Sequence, residues 1–110
     1  MGFVYFIQVI KTGDIKIGFS TNIKSRIHTL QTSIPESIKL LGFISGDLKL
    51  EKELHKKFKH LKKRGEWFHC DKSIIDYLNT CNEMINHTKM GVYIELLEDG
   101  KTQLYSKMKL

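Results

Sequence analysis

This chain has little of what would divert it from an ordinary globular fold. Among its 110 residues there is one proline, one tryptophan and two cysteines. Cys70 and Cys81 are too few and too irregularly placed for a disulfide framework. Cys81 falls on an apolar helical stripe and reads as a core residue. Pro35 sits where a loop is expected and interrupts no element. No apolar run approaches the roughly 18–20 residues that cross a bilayer, so a membrane partner is not expected. The N-terminus lacks the charged, apolar, then small-residue order of a secretory signal, and an intracellular (cytoplasmic, or host-cell if phage or viral) location is the expectation. Negative charge is also in deficit. Eighteen Lys and Arg against twelve Asp and Glu leave the chain at +6.

What is present suits one domain with a single modest core, given an apolar fraction of 41%. With charge not in excess over apolar content, disorder is not expected. The positive balance favours polyanions, nucleic acid or an anionic surface, and it is uneven. Residues 49–64 carry eight cations (Lys49, Lys52, Lys56, Lys57, Lys59, Lys62, Lys63 and Arg64) against Glu51 and Glu53 alone. A run of this kind is either a solvated helix face or a phosphate-backbone contact.

Hydrophobic periodicity gives an element order. Phe3–Val9 and Ile15–Phe19 read as strands joined by the turn Lys11-Thr12-Gly13-Asp14. Ser20 or Thr21 is placed to cap a helix over about Asn22–Gln31, where Ile23, Ile27 and Leu30 repeat at helical spacing. Ile38–Ile44 reads as a third, central strand. A long basic helix follows Ser45-Gly46-Asp47, with Leu50, Leu54, Phe58 and Leu61 on one stripe, and breaks at Lys62–Gly65. Asp71 caps a third helix carrying Ile74, Leu78, Cys81 and Ile85. Val92–Leu97 and Thr102–Lys107 read as a C-terminal hairpin. The fold class is α/β (α+β): a three-stranded antiparallel sheet flanked by helices, in the order β-β-α-β-α-α, with a hairpin appended. Residues 1–85 form the main domain and 86–110 an extension without an assigned role.

Five fragments stand in a telling order: Val4-Tyr5-Phe6, Lys16-Ile17-Gly18, Arg26, Glu51 to His55, and Gly65-Glu66-Trp67-Phe68. In this order and spacing they resemble the GIY-YIG nuclease superfamily, and within it a small phage and bacterial branch. The resemblance implies a metal-dependent endonuclease hydrolysing phosphodiester bonds in DNA, RNA not excluded, with one divalent cation, Mg²⁺ or Mn²⁺. Tyr5 matches the tyrosine of the first motif, as the group that orients or deprotonates the attacking water. Lys16 stands where the superfamily has a second tyrosine, eleven residues on. Its ammonium would contact a phosphate oxygen or polarise Tyr5. The two side chains share a face if paired residues have numbers summing to an odd value.

Gly18 closes the second motif, as a site of close approach or a β-bulge. Arg26 suits charge stabilisation, a guanidinium forking onto two phosphoryl oxygens. Glu51 matches the metal carboxylate, and His55, one turn on, is a weaker candidate for phosphate or leaving-group contact. Lys52, Lys56, Lys59 and Lys63 are the candidates for binding nucleic acid. Trp67 and Phe68 read as scaffold, and Glu66 as a residue that orients another. A zinc site from His55, His60, His69 and Cys70 fits no finger spacing. Two rivals stay open: a catalytically inactive nucleic-acid-binding module of the same fold, and a protein-interaction domain docking through the C-terminal hairpin.

Overall fold

A computed structural model describes residues 2–84 and 103–104. Strand β1 (Gly2–Val9) and strand β2 (Ile15–Ser20) form the expected hairpin. Its loop turns through Gly13, whose φ of 84° lies in the left-handed region that a side chain disfavours. Helix α1 (Ile23–Ser33) starts one residue later than expected, because Asn22 is the cap and accepts from the Ser25 N–H at 3.1 Å. Ser20 closes the preceding turn instead, its hydroxyl bonding both backbone groups of Asn22. Strand β3 (Ile38–Gly46) pairs antiparallel with β1. Helix α2 (Leu48–Lys57) is capped by Asp47, which accepts from the Leu50 N–H at 3.0 Å.

The expected long basic helix is not one element. α2 ends at Lys57 and is followed by a single 3-10 turn, Lys59–Leu61, and then by two short strands, β4 (Lys62–Arg64) and β5 (Trp67–Phe68). Continuing α2 would stack Lys56, Lys59 and Lys63 on successive turns of one face, where like charges repel. Strand pairing offers the backbone another partner. β5 pairs with β2 through Ile15 and Lys16, and β4 pairs with β5. The three-stranded expectation therefore undercounts. Among the described residues the strand order is β4-β5-β2-β1-β3, all antiparallel, with Gln103–Leu104 (β6) added parallel to β3 at the far edge. The C-terminal hairpin expected over residues 92–107 lies outside the described residues apart from those two.

The sheet separates two apolar layers. Val4, Phe6, Ile15, Ile17, Leu41 and Phe68 face Leu54 and Phe58 of α2 and its following turn, and Ile74 and Leu78 of helix α3 (Lys72–Met84). Tyr5, Ile7, Val9, Ile38, Leu40 and Phe43 face Ile23 and Ile27 of α1. A register shift between Phe6 and Ile7 leaves Leu41 unpaired in β3, so the bulge carries Leu41 to the α2–α3 side while Leu40 stays on the α1 side. Cys81, expected in the core, is only partly buried.

One buried polar residue escaped the sequence pattern. The Gln31 amide donates to the carbonyls of Ile34 and Glu36 and accepts from the Ile38 N–H, all at 3.1 Å. It thus ties the end of α1 to the start of β3. Gln31→Leu keeps the volume but strands the buried Ile38 N–H, at a cost of about 1–3 kcal/mol per unsatisfied group. Urea unfolding should therefore show a midpoint lowered at unchanged slope. An unchanged midpoint would mean that solvent satisfies these groups.

Candidate active site at the β2 edge

Register decides which side chains meet. Tyr5 stands opposite Gly18 and Ile7 opposite Lys16, pairs that sum to 23, so Tyr5, Lys16 and Gly18 share the α1 face of the sheet. Gly18 is required by this geometry, because a Cβ there would come within 2.5 Å of Cζ of Tyr5. The phenol lies across the glycine and reaches toward the outer side of β2.

That side is only partly covered. β5 pairs with β2 through Ile15 and Lys16 and no further. At the next residue, the Ile17 N–H donates to the Glu66 carbonyl at 3.0 Å. His55 Nε2 lies 2.8 Å from the Ile17 carbonyl oxygen, and since a carbonyl only accepts, Nε2 carries the proton. The imidazole packs edge-on against Phe68, with centroids 4.9 Å apart. His55 therefore pins α2 to the strand that carries Lys16 and Gly18. Its position suits holding the site together, and only its other nitrogen remains for a substrate. Glu51, one turn earlier on α2, is thereby brought to the same edge, where it is buried.

The turn between β4 and β5 supplies the remaining group. Gly65 adopts φ of 58°, another left-handed position suited to glycine, and the reversal directs Glu66 back over β2. The Lys16 ammonium donates to Glu66 Oε1 at 2.8 Å and stands 5.6 Å from the Trp67 ring centroid. Lys16 is 15% exposed and Glu66 42%, so the ammonium side of the pair is sheltered while the carboxylate stays open to solvent.

Electrostatics show how tightly the groups converge. Burial pushes the Tyr5 phenol above its ordinary value. The nearby Arg26 guanidinium pulls it down, and the carboxylates of Glu66 and Glu51 push it up again. Arg26 is exposed on α1, yet close enough to act on the phenol. Even so, the buried Tyr5 Oη has no hydrogen-bond partner of good geometry among the described residues. Glu51 is raised by burial, by the Glu66 charge and by its hydrogen bond to Glu66, against the pull of His55 and Lys16. Burial works to raise Glu66 as well. The hydrogen bond and charge of Lys16 outweigh it, helped by Glu51 and His55, and Glu66 ends below its ordinary value. Two carboxyls in hydrogen-bonding reach, one disposed to keep its proton and one to lose it, form a coupled pair.

The basic candidates are scattered by comparison. Lys52 and Lys56 are exposed on α2, and Lys59 is exposed on the 3-10 turn. Lys63 lies on β4 and is paired with Asp14 at 2.8 Å. They do not form one helical stripe. Trp67 and Phe68, read as scaffold, form the strand next to Glu66, with Phe68 fully buried and Trp67 packed against the core. The sequence missed the Lys16–Glu66 pair because two strands of three and two residues leave no periodic signal. Glycine directly before Glu66 was the available clue.

A divalent ion can be tested against this donor set. Among the described residues no group of three or more His, Cys, Asp and Glu surrounds a common point. Magnesium needs no such cage, since it keeps several waters and is bound through one or two carboxylates. Glu51 and Glu66, two facing oxygen donors whose mutual repulsion a cation would relieve, fit that requirement.

Residues 2–88 match the T5orf172 domain, a GIY-YIG-like, nuclease-type domain family. Searches of curated proteins and of solved structures gave no match.

Glu51→Gln should raise the melting temperature in chelator at about pH 7.5. The folded pKa of Glu51 is above its unfolded value, so its stabilising contribution is present below the unfolded value of about 4.3 and is lost as pH rises through the folded value. The advantage of the glutamine variant should then shrink as the pH falls toward 4.3. A variant equally or less stable at neutral pH would show that Glu51 is not held against its charge.

Proposed function

The chain belongs to the T5orf172 domain family, and from that premise we propose that it is an endonuclease domain hydrolysing phosphodiester bonds in DNA with one divalent cation, Mg²⁺ or Mn²⁺. One observation carries the reading. The Tyr5 hydroxyl is buried and has no hydrogen-bond partner of good geometry among the described residues, with the Arg26 guanidinium close by and an ammonium–carboxylate pair and a second carboxylate beside it. A buried hydroxyl left unpaired costs about 1–3 kcal/mol. A fold retains that cost more readily where a ligand completes the bond.

Hydrolysis requires an attacking water held in line and compensation for charge on the phosphoryl oxygens. With its pKa raised, the Tyr5 phenol is protonated at neutral pH, which suits it to orient a water or donate to a phosphoryl oxygen rather than to remove a proton. Arg26, exposed and close to the phenol, is suited to fork onto two phosphoryl oxygens. Lys16 holds Glu66 in place and adds positive potential on the same face. Glu51, with Glu66 beside it, would hold the cation. When bound, the cation supplies Lewis-acid stabilisation of the phosphoryl oxygens. His55 fixes the height of β2 against α2 and so the distance from Lys16 to Glu51.

The second reading, a nucleic-acid-binding module without catalysis, draws on the Lys16–Glu66 ion pair, which neutralises a cation that the reacting phosphate would otherwise meet. Tyr5→Phe separates the two. The ring still fills the space over Gly18 and the hydroxyl makes no hydrogen bond of good geometry among the described residues, so the melting temperature should change little. Cleavage of a labelled DNA substrate in Mg²⁺ should fall by about 10²–10⁴-fold, with affinity nearly unchanged. A variant that cleaves at the wild-type rate would remove Tyr5 from the mechanism.

A further inference from the structure

Beyond the reacting cluster, the sheet face that carries Tyr5 and Lys16 runs into a groove of about 470 Å³, within the roughly 300–1,000 Å³ typical of small-ligand sites. Val9, Ile34 and Trp67 give it apolar walls. Trp67 joins groove to site, being the cross-strand partner of Lys16 and lying under its ammonium. Glu36 and Arg64 also line the groove, and neither is in an ion pair among the described residues. Lys63 and Asp14, the other charged residues there, already pair with each other.

The charge pattern selects an occupant. Two cations against two carboxylates leave the groove close to neutral, which suits a phosphate chain poorly. It suits a flat, uncharged body with polar edges, attached to a phosphate held next door. We propose that the groove receives one unpaired nucleobase of the bound DNA strand, stacked on Trp67 and adjacent to the reacting phosphate. The inference rests on the nucleic-acid reading above and narrows its substrate to single-stranded or locally unpaired DNA. In a duplex each base has both faces covered by its neighbours and its pairing edge taken, so only a splayed base offers a face and an edge together. Stacking on an aromatic ring accepts any base. The Glu36 carboxylate is suited to accept from an exocyclic amine, and Arg64 to reach a flanking phosphate.

Trp67 is the sole tryptophan, so the protein's tryptophan emission comes from this one residue in the groove wall. The test titrates wild-type protein, in chelator and low salt, with a short oligodeoxyadenylate, with an abasic phosphodiester of the same length, and with a fully paired duplex. Fluorescence anisotropy of labelled strands measures binding in parallel. The expected result is binding of all three, with quenching of Trp67 by the oligodeoxyadenylate only. Trp67→Leu should weaken oligodeoxyadenylate binding by about 5- to 100-fold, as loss of one stacked base usually does, and weaken abasic binding by much less. Binding without quenching, or equal quenching by the abasic strand or the duplex, would overturn the base site while the nucleic-acid reading survives. If none of the three binds, both fall. The wild-type fluorescence result stands even if Trp67→Leu fails to fold.

Discussion

The antiparallel register of β1 on β2 is the constraint on which the rest of the structure depends. A slip of one residue would send Lys16 to the α2–α3 layer and bury an ammonium among Phe6, Leu54 and Phe58. That layer holds the register, because Val4, Phe6, Ile15 and Ile17 are all fully buried in it and each contributes about 1.5–3 kcal/mol by leaving water. The opposite face is then free to carry polar chemistry beside its own apolar layer. Tyr5 crosses Gly18, and its phenol meets groups arriving from α1, from α2 and from the β4–β5 turn. Ile17 is the junction. Its two outward backbone groups bind Glu66 and His55, fastening both of the later elements to the strand that carries Lys16.

The elements legible in the sequence are those with repeated apolar spacing: the first hairpin, α1, the central strand, α2 and α3. Tyr5, Lys16, Gly18, Arg26, Glu51 and Glu66 all lie at or beside one sheet edge, and the odd-sum register that puts Tyr5 and Lys16 on one face is the one adopted. What could not be read lacked periodicity or depended on distant partners. β4 is three exposed cations, and its strand character comes entirely from pairing with β5. Gln31 looks like any helix-end glutamine until β3 returns to it. The Lys16–Glu66 pair joins residues fifty apart in sequence, through a turn that only a left-handed glycine allows.

The cluster has too much like charge at close range for stability alone. Glu51 and Glu66 repel, and Glu51 is buried besides. Burial and a like-charged neighbour both work against an ionised carboxylate, so the arrangement asks for a use. Relief by a divalent ion and a phosphate together is one that also engages the buried Tyr5 hydroxyl and the exposed Arg26. The scattered lysines outside the cluster then add general attraction for a polyanion rather than a docking helix.

The most direct measurement is the conversion of supercoiled plasmid by the wild-type protein in Mg²⁺, in Mn²⁺ and in chelator. The account predicts nicked or linear product with either cation and intact plasmid in chelator. Cleavage that persists in chelator would contradict the role given to Glu51 and Glu66. Salt-sensitive plasmid binding without cleavage under any condition would contradict hydrolysis itself.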